Sequence, residues 1–153
     1  MDAKFINPFI NATLKVIETM AFIKAAPGTP YVKKDDVAKG DISGVIGITG
    51  KTNGIISVTF DESCILEIVS SMFNEKLTTI DRDIADAVGE LTNMISGQAR
   101  LALSEMGHSF KAAIPSVIRG KNHTLMHIVK GPKIAIPFTT SAGNFTIEVC
   151  FDK

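Results

Sequence analysis

The chain has 153 residues, of which 45% are hydrophobic and 21% are charged. That length and composition suit one globular domain, residues 1–153, with one sizeable core, and they exclude a disordered chain. The 16 basic residues balance the 16 acidic ones and form no long basic run. Nucleic acid is therefore not an expected partner, because phosphate binding needs clustered Lys and Arg.

From the sequence we expect neither a secretory signal nor a membrane-spanning helix. The start of the chain lacks the basic head and long apolar run of a secretory signal. No stretch approaches the roughly 18 apolar residues of a membrane-spanning helix. Cys64 and Cys150 stand alone within apolar segments. We therefore expect a cytoplasmic protein, with no membrane insertion and with two buried free thiols rather than a disulfide.

The first predicted element is a helix that ends near Ala21. Asn7 followed by Pro8 is typical of a helix cap and a first helical residue. Apolar residues then recur at spacings of three and four, which indicates one buried face. The same pattern allows a start one turn earlier, near Phe5.

A strand, a hairpin and a short helix follow. Residues 31–34 predict a short edge strand, and residues 42–49 and 55–60 predict a hairpin. Lys51-Thr52-Asn53-Gly54 lies between them, and Asn-Gly is the strongest short hairpin signal. Asp61 is expected to cap the short helix, residues 62–73.

The next helix, residues 81–107, is the longest predicted element. Thr78 or Thr79 is expected to cap its start and Gly107 to end it. Its apolar residues recur at helical spacing and predict a buried face. They are Ile84, Val88, Leu91, Ile95, Ala99, Ala102 and Met106.

The opposite face of this helix carries the candidate site. At about 100° per residue, Asp86, Glu90, Asn93 and Gly97 fall within an arc of roughly 60°. A carboxylate and a carboxamide would then project together from an exposed surface. Gly89 and Gly97 are both expected off the core face, where a bare surface would let another protein's backbone come close. From spacing alone, an ordinary solvated helix face remains the commoner interpretation.

After Gly107 the chain predicts strands. Residues 117–119, 125–130, 133–139 and 144–151 are separated by turn residues and are expected to be consecutive antiparallel strands. The predicted fold class is α+β, an antiparallel β-sheet with two long helices and a shorter helix packed on it.

Two short motifs suggest ligands but fail in context. Gly50-Lys51-Thr52 resembles the end of a phosphate-binding loop, yet Val45 replaces the required first glycine and a strand follows. His123 and His127 have a metal-ligand spacing only on a helix, and their segment predicts loop and strand. We therefore expect no metal site, and the chain shows no obvious nucleophile.

One motif resembles a known family. Asp86-x-x-x-Glu90-x-x-Asn93, with Pro115 further on, resembles the signature of the CheC/CheX/FliY phosphatases of bacterial chemotaxis. Only Glu90 among the glutamates is followed by Asn at the third position, which is typical of the single-site CheX type. Further segments resemble the same type across nearly the whole chain. They are Asn7-Pro8-Phe9-Ile10, Gly40-Asp41-Ile42-Ser43-Gly44, Gly89-Glu90-Leu91-Thr92-Asn93-Met94, Ile114-Pro115 and Ile136-Pro137-Phe138.

The resemblance implies a phosphatase for the aspartyl phosphate of phosphorylated CheY-like response regulators. It implies that Asn93 positions the attacking water and that Glu90 meets the regulator's active-site lysine, with Asp86 and Gly97 in the docking surface. The Mg²⁺ would belong to the regulator, so no cofactor of this chain is expected. The resemblance also implies a homodimer, because family members of this type form homodimers.

Two other functions stay open on the sequence. A non-catalytic adaptor that docks a response regulator or a flagellar switch component would use the same Glu90 and Asn93 surface. A more remote alternative is a small-molecule domain built on the glycine-rich hairpin, with Gly44 and Gly47.

Overall fold

A computed structural model describes residues 3–125 and 129–152. The described elements are three helices and eight strands. In chain order they are α1 (Ala3–Ala21), β1 (Ala26–Pro27), β2 (Tyr31–Lys33), β3 (Ile42–Thr49), β4 (Asn53–Phe60), α2 (Glu62–Phe73), α3 (Arg82–Glu105), β5 (Lys111–Ala112), β6 (Ser116–Arg119), β7 (Lys133–Thr140) and β8 (Gly143–Phe151).

All eight strands join one antiparallel sheet. The order is β1-β7-β8-β4-β3-β5, while β2 also pairs with β7 and β6 with β3. The helices pack on one face, where alternate residues of β4 and β8, such as Ile56 and Ile147, enter the main core. The predicted α+β fold, two long helices and a shorter one on an antiparallel sheet, is confirmed.

Apart from α2, which lies between them, the elements form two similar halves that exchange edge strands. Each half has a helix, two short strands and a hairpin, in the order α1-β1-β2-β3-β4 and then α3-β5-β6-β7-β8. The short strands of the first half pair with β7, in the second hairpin. Those of the second half pair with β3, in the first hairpin. The two hairpins meet at β4 and β8 in the centre, so neither half completes its own sheet.

The core lies between this sheet and the helices. Its largest side chains are phenylalanines and isoleucines with almost no exposed surface. Phe138 and Phe145 stack with ring centroids 4.9 Å apart and rings nearly parallel, at 4°. This aromatic pair joins β7 to β8 under the helices.

α1 begins earlier than its proline indicates. The helix starts at Ala3, so Pro8 lies inside it and is not its first residue. Proline there removes one backbone hydrogen bond. Tertiary contacts hold the first turns in place, because Ile6 is buried and the Phe5 ring packs edge-on against His108 at 4.9 Å.

The cap of α3 also differs from the prediction. Asp81, not Thr78 or Thr79, is the N-cap, and its carboxylate accepts a hydrogen bond from Ile84 N at 3.1 Å. The helix ends at Glu105, two residues before Gly107, whose φ of +91° suits glycine. Met106 consequently lies beyond the buried face that the spacing predicted.

Asp61 occupies the predicted N-cap of α2 without capping it. Its side chain accepts no hydrogen bond from the helix. The Asp61 carboxylate instead accepts from Asn144 N at 3.2 Å, at the start of β8. The residue therefore links the helix start to the sheet.

The hairpin turn lies one step earlier than predicted. Asn53 and Gly54 belong to β4 and pair with Thr49 and Ile48. The connection is residues 50–52, closed by Gly50 N donating to Thr52 O at 3.0 Å. Asn53 and Gly54, which the sequence places in the turn, are therefore part of the strand because they pair with β3.

The sequence predicted that the strands after α3 pair consecutively, and this is wrong for β6. β6 pairs with β3, because β4 and β8 occupy the sheet centre. Of the predicted strand 125–130, residues 126–128 lie outside the described residues, and Leu125, Val129 and Lys130 are not in a strand. Residues 36–41 and 120–125 instead pair with each other, as in Ala38 N donating to His123 O at 2.7 Å and in the isolated bridge between Val37 and Thr124.

Candidate functional site

α3 is fixed against the core by the predicted apolar face. Ile84, Val88, Leu91, Ile95 and Ala99 have almost no exposed surface. Leu103, which the spacing did not place on this face, is equally buried, whereas the predicted Ala102 is only half-buried. The side chains one half-turn away must therefore point to solvent.

A close contact sets the height of α3 above the sheet. A Cβ on Gly44 in β3 would overlap the Thr92 side chain. Thr92 is fully buried, and its hydroxyl donates to Val88 O at 2.7 Å. Gly44 therefore lets α3 pack closely on this strand, whereas a Cβ on Gly47 would have no neighbour within 4 Å. Because Asn93 follows Thr92 directly, this contact also places Asn93.

The predicted position of Gly89 is wrong. The residue was predicted off the core face, but it is buried. A Cβ there would lie 3.5 Å from Val117 Cγ2 in β6. α3 is therefore covered on a second side by the edge of the sheet, which helical periodicity alone does not reveal.

We call the remaining exposed face of α3 the ridge, defined as Asp86, Glu90, Asn93 and Gly97. The structure brings all four together as the spacing predicted, with the three side chains exposed and Gly97 half-buried. Within the described residues, neither Glu90 nor Asn93 has a hydrogen bond or ion pair to another side chain. A carboxylate and a carboxamide are thus presented one turn apart, free to meet an external partner.

Sequence reasoning missed one charged residue at the end of the ridge. Arg100 Nε donates to Ser96 Oγ at 3.2 Å. Its Nη2 lies 3.8 Å from the point that a Cβ on Gly97 would occupy. The signal was available, because residues three and four apart on a helix are neighbours.

The other candidate residues that the structure describes do not form a site. Lys51 and Thr52 lie in the connection between β3 and β4, with no helix after them. His123 is in a hydrogen-bonded position, with Nε2 2.6 Å from Ser43 Oγ and Nδ1 2.6 Å from Gly120 O. His127 lies outside the described residues.

In residues 3–125 and 129–152, no group of three or more His, Cys, Asp or Glu side chains could hold a metal ion. No helix in the same residues is long and apolar enough to cross a membrane.

Both cysteines are buried and free, as predicted. Burial raises the pKa of the Cys64 thiol from 9.0 to about 11. Burial also raises the pKa of Cys150. Neither thiol is a nucleophile near neutral pH, because only the thiolate reacts.

Comparison with known proteins shows the same fold in solved structures. A CheC-like superfamily protein from Shewanella sp. PV-4 is 48% identical, with full coverage of both chains and a TM-score of 0.94. CheY-P phosphatase CheX of Thermotoga maritima is 28% identical over 123 residues, which are 80% of this chain and 79% of that protein.

A structure with lower sequence identity has the same fold as this chain. The CheX–CheY–BeF3–Mg²⁺ complex from Borrelia burgdorferi is 21% identical, covers 97% of this chain and 98% of that chain, and has a TM-score of 0.83. Fold and sequence together define a CheC-like α+β protein with one Glu-x-x-Asn motif, Glu90 to Asn93, on the exposed face of α3. Residues 42–139 match the family described as Chemotaxis phosphatase CheX, and the chain belongs to that family.

Proposed function

We propose that this protein hydrolyses the aspartyl phosphate of a phosphorylated CheY-like response regulator. The observation that carries the proposal is the ridge, an exposed carboxylate and carboxamide one turn apart on a helix fixed from both sides. Family membership and the CheY-P phosphatase activity in the name of the Thermotoga relative support it. The chain acts as one domain, residues 1–153, in the cytoplasm.

Asn93 supplies the water-positioning group in this proposal. Attack by water on the phosphorus breaks the bond to the aspartyl oxygen and releases inorganic phosphate and a free carboxylate. An acyl phosphate already has a good leaving group, so the task is to hold the water in line. A carboxamide both accepts from and donates to water, and it does not titrate near neutral pH.

Glu90 and the rest of the ridge fix the docking register. Glu90 pairs with a cation of the regulator, its active-site lysine in the family pattern, which sets orientation more than affinity. Asp86 extends the acidic part of the surface, and Gly97 lets the partner's backbone approach. Mg²⁺ belongs to the regulator, in keeping with the composition of the Borrelia complex, so this chain contributes no cofactor.

We further propose that the protein is a homodimer. Strand edges support this: Tyr31 and Val32 of β2 are 50% and 56% exposed, and unpaired strand edges readily pair with another chain. Light scattering on the purified protein tests the proposal, and a monomeric mass across the working concentration range would contradict it.

Phosphate release from a phosphorylated CheY-type regulator tests the phosphatase. The regulator's own decay is the baseline. We expect Asn93→Ala to lower kcat on the order of a hundredfold, as expected when a positioned reactant is lost. Stability should change by less than about 0.5 kcal/mol, because the side chain is exposed. Asn11→Ala, an exposed asparagine on α1, is the matched control and should keep wild-type activity.

The same assay tests Glu90. Glu90→Ala is expected to lower kcat/KM by roughly tenfold, the loss of one interfacial charge contact. Glu105→Ala, at the far end of α3, is its control.

Full activity of Asn93→Ala would remove that residue from the mechanism. Regulator binding without acceleration by the wild-type protein would favour the adaptor function instead.

A further inference from the structure

Arg100 lies on the same side of α3 as the ridge. It follows Asn93 by seven residues, which places the two within about 20° of each other around the helix. Its Nε donates to Ser96 Oγ at 3.2 Å, and Ser96 is fully buried. The anchor is therefore fixed to the body of the protein, and the guanidinium is held rather than freely rotating.

The guanidinium points back towards the catalytic end of the ridge. Long helical side chains tilt towards the helix N-terminus, and Arg100 Nη2 lies 3.8 Å from the position of a Cβ on Gly97. Because residue 97 has no side chain, nothing at that position separates the guanidinium from Asn93. Arg100 has no ion pair with any residue in the described part of the chain. Its charge is thus available to an external group.

The charge order from Asp86 to Arg100, on this side of α3, matches the chemistry of the proposed partner. Asp86 and Glu90 are acidic, Asn93 is neutral and Arg100 is basic. An aspartyl-phosphate site that binds Mg²⁺ presents oxygen ligands, chiefly carboxylates, beside the phosphoryl group. A guanidinium suits such groups, because its planar donors fit a carboxylate in a bidentate contact.

The distance between the Arg100 guanidinium and Asn93 indicates whether Arg100 contributes to docking or to catalysis. Seven residues span about 10 Å along the helix axis, and the guanidinium returns by about one turn, to the level of Gly97. It remains roughly 6 Å from the level of Asn93, beyond the roughly 3 Å of a hydrogen bond. Arg100 therefore does not share the water that Asn93 holds.

We propose that Arg100 is a positioning residue whose guanidinium binds a carboxylate at the rim of the regulator's Mg²⁺ site. This rests on the proposed function and extends the docking surface past Gly97. Asn93 positions the water, while Glu90 and Arg100 hold opposite charges of the partner on either side of it.

Steady-state phosphate release from a phosphorylated CheY-type regulator, at several salt concentrations, tests the proposal. Arg100→Ala should raise KM roughly three- to tenfold, the effect of one solvent-exposed charge contact, with kcat within about twofold of wild type. Arg100→Glu should raise KM further, and Arg100→Lys should recover part of the loss. The salt dependence of kcat/KM should weaken in Arg100→Ala.

Arg82→Ala is the matched control. Arg82 is exposed and lies at the same angle around α3, but at its opposite end. Binding of the beryllofluoride-activated regulator with Mg²⁺ gives a second readout. Equal KM for Arg100→Ala and Arg82→Ala would overturn the proposal, as would a fall in kcat at unchanged KM. If the wild-type protein still accelerates phosphate release in either case, the phosphatase function is retained and only the role of Arg100 is rejected. If the wild-type protein does not accelerate phosphate release, the proposed function itself is rejected.

Discussion

At the scale of single residues, two glycines with opposite roles shape α3. Gly44 in β3 admits the buried Thr92 side chain, which would overlap a Cβ at that position. Gly97 faces outward, and a Cβ there would meet only Arg100 Nη2, at 3.8 Å. The first glycine is required by packing, and the second leaves a surface bare.

Alanine at these two positions should change stability in opposite directions. We expect Gly44→Ala to lower the free energy of unfolding by about 1–3 kcal/mol through overpacking. Gly97→Ala should raise it by up to about 1 kcal/mol, because alanine favours the helix. Urea unfolding measures both. Adding Thr92→Ala to Gly44→Ala should recover part of the loss; equal stability of Gly44→Ala and wild type would contradict the close contact.

The buried Cys64 thiol predicts a loss of stability at alkaline pH. Its pKa is raised by burial from 9.0 to about 11, so the native state holds the proton more tightly than the unfolded chain. The stability from this group is fully present below about pH 9 and is lost as pH rises towards 11. Urea unfolding over this range should therefore show a steeper decline for wild type than for Cys64→Ala. Parallel declines would show that this thiol does not contribute.

At the scale of elements, α3 combines a cap, a buried face and an exposed ridge in one helix. Its Asp81 cap joins the helix start by a hydrogen bond to Ile84 N, one turn before the ridge begins at Asp86. The buried face fixes the rotation of the helix about its axis, and Gly44 fixes its height. The ridge is therefore positioned by contacts that it does not itself make.

Removing the α3 cap should lower stability without changing the chemistry. Asp81→Ala is expected to cost about 1 kcal/mol in the free energy of unfolding, as at other helix N-caps. The turnover number should stay within about twofold of wild type, because the residue precedes the ridge. Asp83→Ala removes an acidic residue of the first turn that does not cap and should cost less. Comparison of the two by urea unfolding and phosphate release checks the prediction, which fails if both cost the same.

At the scale of the whole molecule, the two halves depend on each other. Each half's short strands complete the other half's hairpin, and β4 pairs with β8 in the centre. A buried ion pair adds a link on the outer face of the sheet. Lys33 Nζ lies 2.9 Å from Glu148 Oε2, with side chains only 9% and 3% exposed. The pair connects β2 to β8 across β7.

Breaking this ion pair should be costly, and replacing both partners should not be. Glu148→Met leaves the Lys33 charge buried and is expected to cost about 3 kcal/mol. Lys33→Met combined with Glu148→Met removes both charges and should recover most of that loss. A double-mutant cycle by urea unfolding measures the coupling. Additive effects of the two substitutions would show that the pair contributes no link between the strands.

The elements with strong local signals were predictable from the sequence. Helical periodicity depends only on residues close in the chain. It correctly predicted the bounds of α2, the buried stripe from Ile84 to Ala99 and the exposed position of the ridge on the opposite face. The antiparallel α+β class and both free thiols are confirmed for similar reasons. The family resemblance of the motif is confirmed by the match over residues 42–139. The roles of Glu90 and Asn93 stay predictions.

Contacts between segments far apart in sequence could not be predicted from local patterns. β1 and β5 have two residues each, too few for alternation to show, and they form because β7 and β3 offer unpaired edges. Gly89 is buried and Asn53-Gly54 joins β4 because partners far along the chain cover them. Local patterns fix periodicity, whereas burial and pairing depend on contacts between residues far apart in sequence.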